Sequence, residues 1–556
     1  MPVTIAHTST YVPPDPGPYN PDPPVSWDIE VSGSNRVLLV FFHAAIDNDA
    51  PRSAIVDGEL MIPLHYAAQD YGLMAWYMPN PPVGTLTVEV AYTKVAGSYE
   101  VAGAAFCLNG AEDVATYGDP ASESSASTTT PSLSVDFVSG DFAITVIEGD
   151  PSGVGGDQTE VLQITTEGFN FGPLNVSTNS TNGDFSWTFA GAAVRVMLGV
   201  AVHPAGTAGV KPLPCEVLFD SRLINAVAPY VADIATYYAD WEANGNGSAG
   251  AQNIISEADD GSYYYDGTWV FYEIGGYLGA AEPYNTAAWQ QLTVLDAAYY
   301  VPYDDLPGYK YFVRGPYRDY QVRAEVTSLD MVEDLCNLPV WSQDGDNLSD
   351  PALIRELAYH IDGLTYAAKA GFTPRTARLA QCRDWAYAML DYFFVDEDWV
   401  GVDVQFSPFM IGLLARALIE DWETSGDSRC LPALQTACDY LWDNAWDAAN
   451  MGMGYQLNPA ETQTGLNLTG SPVLNNLIGG MYAWVALQTG DSSYMDKADV
   501  MFAGSTFCIR EQDGKQFNQQ HTWVFQQMEW RTEFYVEASV AANPVVLFES
   551  SDVLIV

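Results

Sequence analysis

The sequence predicts a chain of two unlike parts: an N-terminal antiparallel β-sandwich, jelly-roll-like, followed by an all-α α/α toroid of αα-hairpins. Three observations predict it. Apolar residues recur with period two before residues 205–230 and with helical period after them. In the second part a unit of apolar helix, Gly-Asp turn and apolar helix recurs. At 556 residues and 60.5 kDa the chain is also too long for one ordinary core. The expected divisions are an extended Pro-rich arm (1–25), the sandwich (26–205), a linker (206–230), the toroid (231–541) and a strand-like tail (542–556).

The Pro-rich stretch 12–24 reads as extended backbone. Leu86, Val88, Val90 and Tyr92 alternate with polar partners, as do Leu133, Val135 and Phe137, then Phe142, Ile144 and Val146, then Phe185, Trp187 and Phe189. NRVLLVFFHAAI and AAVRVMLGVAV are unbroken apolar runs of strand length, as expected of central strands covered on both faces. About eight to ten strands with Gly, Pro, Asn and Ser turns make a sandwich. In the second part, 417–442 and 483–504 each read helix, TSGD or QTGD turn, helix, and 270–300 is a weaker copy. Each copy places Gly at the end of the first helix and Asp or Ser where the next needs a cap. With further helical stretches at 321–337, 351–370, 373–395, 404–422 and 521–540, about ten to twelve helices result, enough to close a ring of five or six hairpins. An open solenoid is the alternative, although its ends would need polar capping repeats. The tail ANPVVLFESSDVLIV returns to strand-like residues and is expected to pair with the sandwich, with a neighbouring chain or on the toroid.

The 71 Asp and Glu against 21 Lys and Arg leave a formal net charge of -50. Residues 1–225 carry 25 acids and six bases, so the deficit of bases is spread over both parts. That pattern excludes phosphate-contacting nucleic-acid binding and suits a surface in a salty medium, where screening is strong. An ordinary acidic protein is the plainer reading. The seven cysteines have no CxxC spacing, so neither a zinc site nor a disulfide framework is expected. No secretory signal and no apolar run of membrane-spanning length is evident, and no cofactor is expected. DGDNLSD (344–350) lacks the final Glu of a calcium loop and reads as a surface loop.

The segments YYYDGTWVFYEIGGYLG, YKYFVRGPYRDYQVRAEVTS, RELAYHIDGLTYAAKAGFTPR, FSPFMIGLLARALIEDWETSGDSR, LNNLIGGMYAWVALQTGDSSYMDKADVMFAGS and KQFNQQHTWVFQQMEWR span about 258–531. In that order they resemble an α/α-toroid module of tailed-bacteriophage and bacterial proteins, similar in architecture to six-hairpin glycosidases and toroidal polysaccharide lyases. NRVLLVFFHAA, YGLMAWYMPNPPVGTLTVEV and the stretch around Asn109 more loosely resemble β-sandwich modules of phage virion and bacterial surface proteins. Where the module more often has a Tyr-Arg pair, this chain has His521 and Thr522. The resemblance implies a virion component that engages host-surface polysaccharide, with other virion proteins as partners, a homo-oligomeric state and release by lysis.

Glycoside hydrolysis needs two carboxyls, and elimination needs a proton-transfer group with a cation for the substrate carboxylate. Asp266, at a helix start behind three Tyr, is the first catalytic candidate, with Glu273 two turns on. A plain N-cap is the simpler reading of Asp266, and a surface or packing role that of Glu273. FNQQHTWVFQQMEWR adds His521 and Glu529 as catalytic candidates, with Asn518, Gln519, Trp523 and Arg531 as substrate-binding ones. Glu529 with Arg531 also reads as a buried ion pair, and a lone His is more often structural. Tyr265, Trp269, Arg314 and Arg318 complete the substrate-binding set, and Glu356 with His360 is explained by helical i,i+4 pairing. Twelve of the 15 Trp follow residue 226, and flat rings stack on sugar faces, although most such rings fill cores. The expected function is a glycan-engaging phage virion protein with uncertain cleaving activity. The alternative is a free polysaccharide-degrading glycosidase or lyase carrying a carbohydrate-binding sandwich.

Overall fold

The computed structural model describes residues 3–11, 24–44, 51–67, 72–92, 101–116, 130, 132–134, 142–148, 153–154, 159–164, 174–179, 184–188, 197–204, 213–216, 218–225, 264–295, 311–337, 350, 353–396, 406–457, 470–509, 514–542, 546–549 and 552–555. The Pro-rich stretch 12–23, most of the expected linker, the 344–349 loop and Trp399 lie outside the described residues. The chain divides into two compact units, 1–218 with 535–556, and 219–534.

The first unit is built of strands β1 (Thr4–Tyr11), β2 (Val25–Val31), β3 (Arg36–Ala44), β4 (Pro51–Val56), β5 (Glu59–Leu60), β6 (Ile62–Ala67), β7 (Gly72–Pro79), β8 (Gly84–Tyr92), β9 (Val101–Asn109) and β10 (Ala111–Thr116). They continue as β11 (Ser132–Ser134), β12 (Phe142–Glu148), β13 (Gly153–Val154), β14 (Thr159–Ile164), β15 (Leu174–Asn179), β16 (Asp184–Thr188) and β17 (Met197–Pro204). One sheet has the order β1-β9-β3-β7-β6, a second β2-β8-β4-β5 and a third β10-β17-β12-β15-β14. The strands outnumber the eight to ten expected, because several short ones carry too few residues to show alternation.

Burial follows the layers. In β2 inward and outward residues alternate without a break, whereas β9 is buried nearly throughout. The first sheet is covered on both faces. Val37, Leu39, Phe41, Phe106 and Leu108 join Ile144 and Val176 of the third sheet in one apolar cluster. On the other face Phe42 stacks on Trp27 of the second sheet at 6.5 Å. There Gly103 is required for close approach, since a Cβ would stand 2.8 Å from the Trp27 ring. The unbroken apolar run of β3 thus has the cause expected of it. Thr4–Tyr11, read from the sequence as part of an extended arm, instead pairs with β9. The tail folds on itself as a hairpin of β20 (Val546–Glu549) and β21 (Asp552–Ile555), after a small β18–β19 hairpin (Trp446–Asp447 with Gly452–Met453) in the second unit.

The second unit holds helices α1 (Gly267–Tyr277), α2 (Tyr284–Leu295), α3 (Arg314–Arg323), α4 (Val326–Asn337), α5 (Ile354–Lys369), α6 (Thr376–Phe394), α7 (Pro408–Ser425), α8 (Cys430–Ala445), α9 (Gly479–Thr489), α10 (Ser492–Phe507), α11 (Gly514–His521) and the residues up to Phe534 of α12 (Val524–Ala542). Helices α1, α3, α5, α7 and α9 neighbour one another in turn, and each is backed by the helix that follows it. The turn chemistry is as the sequence indicates. Gly426 and Gly490 take φ 62° and 72° at the ends of α7 and α9, and Asp491 caps α10 through the Ser493 N–H. Helix α11 lies against α1, with Phe517 stacked on Phe271 at 6.1 Å. Connections leaving α1, α3, α5, α7, α9 and α11 are short, at 278–283, 324–325, 370–375, 426–429, 490–491 and 522–523. Those arriving at α3, α5, α7 and α9 are long, at 296–313, 338–353, 395–407 and 446–478, the asymmetry expected where loops build a site on a rigid scaffold.

Candidate functional site

Tyr265 and Asp266 form the turn that starts α1, and both hold left-handed backbone angles, φ 60° and 64°. Side-chain-bearing residues disfavour that region, so two in succession persist only where the surroundings fix them. Asp266 supplies the fixing. Its Oδ1 accepts from the Trp269 N–H at 3.3 Å, an N-cap, and its Oδ2 accepts from the Gly315 N–H at 2.9 Å, tying α1 to α3. Any Cβ at position 315 would collide with this carboxylate. Burial pushes the Asp266 carboxyl up, opposed by Arg314 and by the two N–H donors.

Arg314 opens α3 and is 1% exposed. Its guanidinium lies 3.8 Å above the Trp269 ring, and Nη1 donates to the Thr522 carbonyl at 3.0 Å. The Tyr366 hydroxyl reaches both Arg314 and Glu420, and Lys369 Nζ donates to Glu420 Oε2 at 2.6 Å. Burial would raise Glu420, but Arg314 and Lys369 outweigh it and hold the carboxyl below its ordinary range.

Tyr359, Asp362 and Tyr366 recur at i, i+3 and i+7 along α5 and so share a face. Asp362 Oδ2 pairs with Arg416 Nη2 of α7, both side chains being almost fully buried. Buried polar atoms nearby that lack a hydrogen-bond partner include Asp362 Oδ1, Tyr359 Oη and Thr522 Oγ1, together with the Nε atoms of Arg314 and Arg416. Asp362, Tyr359 and Thr522 line one narrow recess with Tyr265, Asp266, Arg314 and Arg416. Other buried polar atoms among the described residues also lack partners, but here several converge on one recess, which marks a place where a polar guest would complete the bonding. Burial raises the Asp362 carboxyl, opposed by Arg416 and Arg314, and raises the Tyr359 phenol well above its usual range. Among the described residues no three His, Cys, Asp or Glu stand together as a metal site, and no helix is long and apolar enough to cross a membrane.

Of the residues singled out in the sequence, Tyr265, Asp266 and Arg314 line the recess, and Trp269 supports Arg314 from beneath. The others are placed elsewhere. Arg318 pairs with Glu273 at 3.3 Å; seven residues separate Glu273 from Asp266, about 10 Å along the helix. Glu529 is exposed on α12. Arg531 pairs not with Glu529 but with Asp499, at 2.7 and 3.0 Å. Asn518 Nδ2 donates to the Tyr264 carbonyl and Gln519 Nε2 to the Val473 carbonyl. Trp523 is buried, edge-on to Trp530 at 6.0 Å.

His521 is fully buried between Phe517 and Phe219, at ring distances of 4.2 and 5.3 Å, with Nδ1 on the Phe517 carbonyl. Burial lowers it from 6.5 to about 4, so it stays neutral in the fold at neutral pH. The unfolded chain therefore takes up this proton first, and the stability that His521 contributes above pH 6.5 is lost as pH falls through about 4. Denaturation of His521→Leu followed across that range is expected to show a shallower acid decline than the parent.

Tyr359, Asp362 and Arg416 line the recess without being candidates from the sequence, as do Tyr311, Phe312 and Val313. One signal was present: Arg416 stands inside the apolar run FMIGLLARALI, and a charge in such a run must find a buried partner.

No protein-family model and no curated protein matches the sequence. Among solved structures the chain is similar to a polysaccharide lyase, at 12% identity and a TM-score of 0.35, over 77% of this chain and 65% of that one. The chain thus spans less than two thirds of that protein's length.

Proposed function

We propose that this chain is an acidic-glycan-degrading enzyme of the lyase type. In this reading the helical unit is a closed ring of six hairpins, and the strand-rich unit is a jelly-roll-like sandwich that binds glycan or anchors the enzyme. Two contacts support ring closure: Phe517 of the last hairpin on Phe271 of the first, and Asn518 bonded to the Tyr264 carbonyl. The interleaved strand orders β1-β9-β3-β7 and β2-β8-β4-β5 support the jelly-roll reading.

The observation that carries the function is the recess itself, where three partnerless polar atoms converge beside two buried arginines. Hydrolysis by paired carboxyls is poorly served there. Of the two carboxyls lining the recess, Asp266 has both oxygens engaged by backbone N–H groups, which leaves Asp362 without a second free carboxyl. Elimination is better served: Arg314 and Arg416 hold a uronate carboxylate, the proton α to it passes to solvent water as the double bond forms, and Tyr359, kept protonated by its burial, gives its proton to the departing oxygen and is reprotonated from solvent.

Incubating the full chain with alginate, pectate and hyaluronan, and with dextran and starch as neutral controls, tests this. Shortened products with ultraviolet-absorbing unsaturated ends are expected from an acidic polymer alone. New reducing ends without that absorbance would replace elimination by hydrolysis, and no shortening of any acidic polymer would overturn the enzymatic reading. Residence in a virion is the further part of this proposal and is supported by the sequence resemblance. Mass spectrometry of purified particles tests it.

A further inference from the structure

We infer that an anionic ligand enters the recess together with one proton, carried by Asp362 Oδ1. This rests on the acidic-ligand reading above and adds to it a coupling between binding and protonation. The charges gathered around the recess and just beneath it balance. Arg314, Arg416 and the half-buried Lys369 face Asp266, Asp362 and Glu420, and Lys369 also reaches Glu423 at 3.4 Å, whose charge lies on the solvent side. A ligand carboxylate would leave one negative charge uncompensated in a nearly dry interior, and a buried group so placed takes up a proton instead.

The bonding of the three carboxylates singles out the acceptor. Protonating Asp266 would sacrifice one of two backbone N–H bonds, and protonating Glu420 would weaken its hold on Lys369. Asp362 loses nothing, because Oδ2 keeps Arg416 while Oδ1 has no partner. With a proton there, Oδ1 becomes a donor to the ligand carboxylate, and the proton that balances the charge also makes the missing hydrogen bond.

The groups facing Asp362 are Arg416 and Glu420 of α7, Arg314 of α3, Asp266 and Tyr265 of the turn into α1, and Tyr359 and Tyr366 of its own helix. Elsewhere on α5, His360 is bonded to Arg378 of α6, and Cys336 of α4 donates to the Gly363 carbonyl. Burial already displaces the Asp362 carboxyl upward. A carboxyl-to-carboxylate hydrogen bond would also neutralise a uronate in the manner that eases removal of its α proton.

Calorimetric titration of the full chain with glucuronate, in two buffers of different ionisation heat, tests the coupling; glucose is the neutral control. Uptake of one proton per glucuronate bound is expected. The dissociation constant should rise tenfold per pH unit once pH exceeds the titration of Asp362 in the complex. Asp362→Asn should bind glucuronate with no proton uptake and a flat pH profile. Binding by the parent chain without proton uptake, or uptake that survives in Asp362→Asn, would overturn the coupling while leaving the acidic-ligand site intact. Absence of glucuronate binding at every pH by a folded chain would overturn both.

Discussion

Replacing Tyr359 by Phe is expected to leave a folded, equally or more stable protein whose proposed cleavage of acidic glycan falls by about 10²–10⁴-fold, the usual worth of a positioned proton donor. The two halves of this result have one cause. Tyr359 Oη is buried without a hydrogen-bond partner, so the fold bears the desolvation cost of a hydroxyl it does not use. Removing that oxygen while keeping the ring relieves a penalty of about 1–3 kcal/mol and leaves the aromatic packing, including the Phe312 ring at 5.5 Å, in place. A residue that lowers stability and is needed for turnover is the signature of a site, since activity and stability commonly trade against each other there. Melting temperature and initial rate of unsaturated-product formation, measured on the same preparation, check both halves. Full activity in Tyr359→Phe would remove Tyr359 from the chemistry. A large fall in melting temperature would mean that the hydroxyl has a structural partner after all.

The same comparison shows what a sequence can disclose about such a site. The strand and helix halves were legible because burial leaves a periodic trace: β2 alternates inward and outward residues, and Gly426, Gly490 and Asp491 mark helix ends by chemistry that few other residues supply. Half of the recess was legible for a similar reason, since Asp266 and Arg314 stand at helix starts beside aromatic clusters. Tyr359, Asp362 and Arg416 sit in the middle of α5 and α7, where their spacing is the spacing of an ordinary core face. Only packing α5 against α7 and α3 shows that the face is shared by three charges and a phenol. Conversely, the crowding of amides, His521, Glu529 and Arg531 near the end of the sequence suggested a site because the residues are chemically rich. Gln519, His521 Nδ1 and Arg531 are instead spent on local bonding and Glu529 on solvent, while His521 Nε2 is enclosed among aromatic rings. Chemical richness in sequence does not distinguish a polar network that locks helices from one that meets a ligand. The distinction lies in whether partnerless polar atoms converge on one recess. The net charge of -50 would act on the same site from outside: under the proposed activity an anionic glycan would approach an unfavourable field, which added salt relaxes before it weakens the buried arginines.

The largest stability effect is expected from breaking the Arg531–Asp499 pair. Arg531 of α12 is 4% exposed and Asp499 of α10 not at all, and Nε and Nη2 donate to the two carboxylate oxygens at 2.7 and 3.0 Å. A two-point pair of this geometry recovers much of what burial costs both ions, but neither ion can meet that cost alone. Asp499→Leu should therefore destabilise by about 3–5 kcal/mol, because a guanidinium that cannot lose its proton is stranded in the interior. Arg531→Met should cost somewhat less, because a stranded carboxylate can take up a proton and shed its charge. The double variant Asp499→Leu with Arg531→Met should recover most of the loss, since apolar residues of similar volume need no partner. Chemical denaturation of the four proteins forms a double-mutant cycle that isolates the pair from the packing around it. A double variant as unstable as Asp499→Leu would assign the effect to other bonds of these side chains. Recovery in the double variant with unchanged cleavage would place this second charged network outside the chemistry, which is the separation that the partnerless atoms of the recess imply.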